Sequence, residues 1–118
     1  MSLLNALGIG LAGALGSLCR WALGQRLPFS VQEFAWATFS ANLLGCLLMG
    51  ICWNRIQPEW LRLAVTVGFL GGFTTFSGFG LELLRYTQAG EWKLGIIYGA
   101  ASLLMGVILV WVGQKISF

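Results

Sequence analysis

The chain has 118 residues, 58% of them apolar and 9% charged, where an ordinary soluble domain carries roughly 45–50% and about 25%. Seven Lys and Arg and four Glu cannot cover a soluble globule of this size, but lipid makes most of that cover unnecessary. With no His and no Asp, catalytic triads, metal-ligand clusters and paired carboxylates lack material, so an enzyme is not expected and no catalytic residue is assigned. The length suits one domain, residues 1–118, with about four membrane crossings of roughly 20 residues each.

The first uncharged stretch runs from Met1 to Cys19 and is followed by Arg20 and Arg26. It lacks the basic start and small-residue cleavage site of a signal peptide, so it reads as a mature span. Gly8, Gly10 and Gly13 spell a dinucleotide fingerprint, but no strand precedes them and no acidic residue follows at the required distance. With Ala12 and Gly16 they read as a close-packing helix face. Pro28 marks the first connector. Phe34 to Asn54 is the second uncharged stretch, carrying Thr38, Ser40 and Asn42, with Thr38 and Asn42 one turn apart. A mid-membrane Asn is costly unless it meets a polar group, so it faces either another helix or a pathway.

Arg55, Gln57-Pro58, Glu59-Trp60 and Arg62 form the next connector, and Leu63 to Leu81 is the third span. Between Gly68 and Gly80 lie five glycines, four phenylalanines, Thr74, Thr75 and Ser77. Glycine costs about 1 kcal/mol relative to alanine inside a helix, so a break is expected near Gly71–Thr75. Broken backbone at membrane depth is tolerated where protein buries it or water reaches it, and its freed carbonyls make ion sites. Phe76 and Phe79 share a face, and the positive edge of an aromatic ring can attract a small anion. Glu82 and Arg85 close the span, and Ala89-Gly90 breaks the chain. Leu94 to Gln114 is the fourth span, ending at Lys115. Gly95, Gly99, Ser102, Gly106 and Gly113 give it one small-residue face, with Tyr98 and Ser102 placing two hydroxyls along the same side.

The six tryptophans fall near span ends, as interfacial belts require. Cys19, Cys46 and Cys52 are odd in number and lack CxxC spacing, so they read as buried small apolar residues rather than a disulfide or zinc framework. Four spans place both termini and the second connector on one side with Arg55, Arg62 and Lys115. The other side carries Arg20, Arg26, Arg85 and Lys93. Three against four is almost no positive-inside bias, which suits insertion in both orientations and an antiparallel dimer as well as one weakly biased orientation. The scattered basic residues read as interfacial and not as a nucleic-acid surface.

Gly68 to Phe79, GFLGGFTTFSGF, resembles the GFxGGxTTFSTF signature of the small bacterial fluoride channels, the CrcB or Fluc family. Gly13 to Arg20, Thr38-x-x-x-Asn42-x-x-Gly45 and Tyr98-x-x-x-Ser102 are similar to that family's other span motifs and occur in the same order. The resemblance implies an all-α membrane protein of four transmembrane helices, the third broken mid-membrane, assembled as a dual-topology antiparallel homodimer with two pores. It implies passive, fluoride-selective export that confers fluoride resistance, in a multi-pass protein of the bacterial inner membrane. By the same resemblance the carbonyls of Gly71 and Thr74, with the same pair from a second copy, would hold a structural sodium ion at the dimer interface. Phe76, Phe79 and Asn42 would line the route, Thr38, Ser77, Tyr98 and Ser102 would extend a polar track, Glu82 would sit near one end and Arg20 near a vestibule. The family usually has Thr or Ser where this chain has Gly78, so one hydroxyl is missing from that track.

Two other functions compete. A proton-coupled small multidrug exporter of dual topology needs a membrane-embedded carboxylate, typically in span one, and span one has none. A structural membrane subunit would use the glycine faces but leaves the hydroxyl-rich third span without a purpose.

Overall fold

The computed structural model describes residues 1–116, and all regular structure in them is helical. Helix α1 (Leu3–Arg26) begins at Ser2, whose hydroxyl accepts from the Asn5 amide at 3.1 Å. It runs on past Cys19, because Arg20 finds a protein partner and does not have to end the apolar segment. Helix α2 (Trp36–Cys52) has 17 residues, about 25 Å of rise and the short end of what spans a bilayer. The last helix, α6 (Trp92–Lys115), follows a turn in which Gly90 takes φ +78°, a conformation suited to glycine.

The third span, Glu59–Gln88, covers 30 residues and is not one regular helix. It starts as α3 (Glu59–Leu63), widens into π-helical turns over Ala64–Leu70, tightens again as α4 (Gly71–Phe73) and resumes as α5 (Phe76–Gln88). Between α4 and α5 the chain is extended at Thr74 (φ −89°, ψ 158°) and Thr75 (φ −149°, ψ 123°). The break falls where expected, but on the two β-branched residues and not on the glycines. Gly68, Gly71 and Gly72 remain helical. By length and composition, α1, Glu59–Gln88 and α6 can each cross a membrane, with α2 as a shorter apolar fourth.

Two of those glycines permit close approach to α1. A Cβ on Gly72 would land on the Gly13 carbonyl, and one on Gly68 would sit 2.8 Å from the Ile9 carbonyl. From the other side, a Cβ on Gly16 would strike the Phe69 carbonyl and lie 2.9 Å from the Phe73 amide. The α1 face foreseen from Gly13 and Gly16 therefore exists, whereas Gly10 faces open space. Helix α6 divides its small residues between two partners. Gly95 and Gly99 lie against Tyr86 and Leu83 of α5, while Gly106 and Gly113 lie against Cys46, Leu47 and Ile51 of α2. Gly50 and Gly113 cross so closely that a Cβ on either would meet backbone. At that end Arg55 donates to the carbonyls of Ile51 at 2.9 Å and Gln114 at 2.8 Å, tying the C-termini of α2 and α6 together.

Outward faces are apolar, as lipid requires: Leu7, Leu11, Leu15 and Leu18 along α1, and Leu103, Leu104, Val107 and Trp111 along α6. Cys19 also lies on the exposed face of α1, so the expectation of three buried cysteines holds only in part, with Cys46 and Cys52 half-buried. Nineteen residues of uncharged sequence do not reveal which face of a helix turns to protein.

These contacts make the effect of a methyl depend on position. Gly16→Val should lower the thermal unfolding midpoint in detergent, by an overpacking cost of about 1–3 kcal/mol. Gly10→Ala, which adds its Cβ to open space, should leave the midpoint unchanged or slightly raised.

Candidate ion pathway

A helix broken inside a membrane leaves amides and carbonyls that nothing outside the protein can satisfy. Asn42, on the face of α2 turned to the break, supplies a two-pronged answer. Its Nδ2 donates to the Thr75 carbonyl at 3.1 Å, and the Thr75 amide donates to its Oδ1 at 2.8 Å. Thr75 then caps α5 by accepting from the Gly78 amide at 2.9 Å. Arg20 donates from Nε to the Gly72 carbonyl at 3.1 Å.

These bonds divert two amides. In a continuing helix the Thr75 amide would serve the Gly71 carbonyl and the Gly78 amide would serve the Thr74 carbonyl. Both donate to side chains instead. The Thr74 hydroxyl is turned back on the Leu70 carbonyl at 2.9 Å, and its methyl packs where Gly45 has no side chain. Thr74 therefore offers its surroundings a carbonyl and not a hydroxyl. Gly71 is exposed on the surface of the chain.

Two clefts follow α2 end to end and meet at the break. One, of about 260 Å³, lies beside the first turn of α2 and is lined by Arg20, Phe29, Thr38, Thr75, Gly78 and Glu82 among others. The second, of about 290 Å³, runs along the later turns of α2 and is lined by Asn42, Cys46, Met49, Thr74, Thr75, Phe76, Phe79 and Ser102 among others. Thr75 belongs to both.

The first cleft is polar at its inner end. Glu82 accepts from Thr38 Oγ1 on Oε2 at 3.0 Å and from the Tyr98 hydroxyl on Oε1 at 2.8 Å. Tyr98 is fully buried, wedged edge-to-face against Phe79 (centroids 5.1 Å apart) and Phe34 (5.5 Å). The second cleft is mostly apolar. Its polar groups are the Asn42–Thr75 bridge and Ser102, whose Oγ is buried and has no hydrogen-bond partner among the described residues. Phe79 is 6% exposed and Phe76 79% exposed, with ring centroids 5.8 Å apart, so one ring is fixed in the core while the other projects from the chain.

A family model described as "CrcB-like protein, Camphor Resistance (CrcB)" matches residues 7–114. This chain belongs to the CrcB family. It is 42% identical over 112 residues to the "Fluoride-specific ion channel FluC" of Nitratidesulfovibrio vulgaris, covering 89% of this chain and 90% of the relative. It is 37% identical over 121 residues to the protein of the same name from Acidobacterium capsulatum, covering 94% of each. A third such relative, from Aromatoleum aromaticum, is 40% identical over 112 residues, covering 91% of this chain and 86% of the relative.

In this CrcB chain, most residues singled out from the sequence converge on the clefts. Arg20, Thr38 and Glu82 line the first, and Asn42, Thr74, Phe76, Phe79 and Ser102 the second, with Tyr98 reaching Glu82 from behind. Glu82 lies well inside the helical span, which continues to Gln88, and not at the end of it. Ser77 departs from expectation: it is exposed, lines neither cleft and approaches only the Thr75 hydroxyl, at 3.3 Å. It sits in the first turn of α5, where the Thr75 cap turns it outward. At Gly78 a Cβ would lie 3.0 Å from Thr75 Cγ2, so the missing hydroxyl leaves room for the capping threonine. Thr75 itself was missed as a site residue, although a hydroxyl residue before a new helical run is a capping signal.

Asn42→Ala should leave the Thr75 amide and carbonyl without partners and reduce stability by about 1–3 kcal/mol, read as a lower unfolding midpoint in detergent. Asn42→Asp keeps the acceptor for the Thr75 amide but loses the donor, and should fall between Ala and wild type.

Proposed function

We propose that this chain is a fluoride-selective passive channel that lets the anion leave the cytoplasm down its gradient. The observation carrying the reading is the pair of clefts that follow α2 and meet at the broken third span. The named relatives agree with it. Fluoride is small and strongly hydrated, so a pathway must replace its water with hydrogen-bond donors and ring edges. The second Nδ2 proton of Asn42, the unpartnered Ser102 hydroxyl and the edges of Phe76 and Phe79 are donors of that kind beside one cleft. Chloride, larger and less strongly held by such contacts, gains less.

The working unit in this reading is an antiparallel homodimer of dual topology, with two pores. Support comes from the near-even basic residues on the two sides and from the exposed Phe76 and Gly71, which a second copy would cover. A structural sodium ion on the dimer axis fits the diverted amides: the carbonyls of Gly71 and Thr74 are hard oxygen donors whose helical partners are engaged elsewhere. Two such pairs would hold the ion, which would supply positive charge between the copies. Arg20 and Glu82 mark the wider polar end of the route.

The deciding experiment is anion efflux from liposomes holding the purified protein, read with a fluoride electrode and repeated for chloride. Fluoride release without chloride release is expected. Release of neither, from a folded dimer, would return the structural-subunit and exporter readings. Phe76→Ile should abolish the fluoride flux while leaving the chain folded, since the ring projects outward; normal flux would remove the ring-edge argument. For topology, a reporter fused to the C-terminus should be labelled from both sides of the membrane, and labelling from one side only would refute dual insertion.

A further inference from the structure

We infer that Arg85 is a second cation of the polar cleft's mouth, concentrating anions there ahead of their passage to the break. Arg85 lies three residues after Glu82 on α5, so the two share a face of the helix and Arg85 is the farther from the break. Its guanidinium carbon stands 4.9 Å from the centre of the Phe29 ring. Phe29 lines the cleft alongside Arg20 and Glu82, which places the charge at its rim. The platform under it is fixed: Phe29 packs edge-on to Tyr86 with centroids 5.2 Å apart, and the fully buried Tyr86 donates its hydroxyl to the Glu33 carbonyl.

Arg85 is exposed and forms no ion pair among the described residues, so its charge is not cancelled by a neighbour. The one carboxylate of the cleft, Glu82, lies deeper and has both oxygens occupied by the hydroxyls of Thr38 and Tyr98. An anion approaching this end thus meets positive charge first. Capture by a surface charge acts through the surrounding field and is screened by salt, whereas a packing role is not.

The inference rests on the channel reading, and one experiment separates the two. Fluoride efflux is measured at subsaturating fluoride in about 10 mM and about 1 M impermeant salt, where the Debye length falls from roughly 30 Å to roughly 3 Å. Arg85→Gln should reduce the initial rate about threefold at low salt and match wild type at high salt. Arg85→Lys should keep most of the low-salt rate. Phe29→Leu, which removes the platform but not the charge, should give a smaller deficit that salt also removes. An equal deficit at both salt concentrations, or none at either, would overturn the role of Arg85 while wild-type flux keeps the channel reading intact. Absence of wild-type fluoride flux would overturn both.

Discussion

The bridge between Asn42 and Thr75 is the interaction on which the rest of the structure depends. Hydrocarbon offers no hydrogen bonds, so a span can be interrupted only if other parts of the protein serve the backbone it releases. One amide side chain serves both polar atoms of Thr75, the Thr75 hydroxyl restarts the helix at Gly78, and Arg20 serves Gly72. Each bond consumes a donor that a regular helix would have aimed at a carbonyl three or four residues earlier. The carbonyls of Gly71 and Thr74 lose their ordinary donors by this arrangement, without any strain in the flanking helices.

Holding that bridge in place requires unusually close helices. The glycine contacts between α1 and the first half of the third span, and between α2 and α6, bring backbone against backbone. In lipid, where apolar burial gives no drive for association, such packing and the hydrogen bonds it permits are the main source of cohesion. Large side chains are left for the outside, so the chain is apolar on its surface and polar along the line from Arg20 through Glu82 and Thr75 to Ser102. The aromatic cluster of Phe34, Phe79, Tyr86 and Tyr98 backs this line and fixes the Tyr98 hydroxyl against Glu82.

Composition, charge spacing and glycine content determined the class of protein, the number of spans and the existence of a break in the third, because these follow from solvent and propensity alone. The TTFS segment and the hydroxyl and amide residues at one-turn spacing were legible as pathway candidates for the same reason: polar groups in lipid need partners. The sequence could not say which partners. That Asn42 meets backbone, that Glu82 sits inside the span beneath two hydroxyls, that Ser77 points away and that the break falls on threonines rather than glycines depend on how α1, α2 and α6 pack around the third span. Propensity measures what a residue prefers in isolation. At this site the outcome was decided by which donor the neighbouring helix placed within 3 Å of each released backbone group.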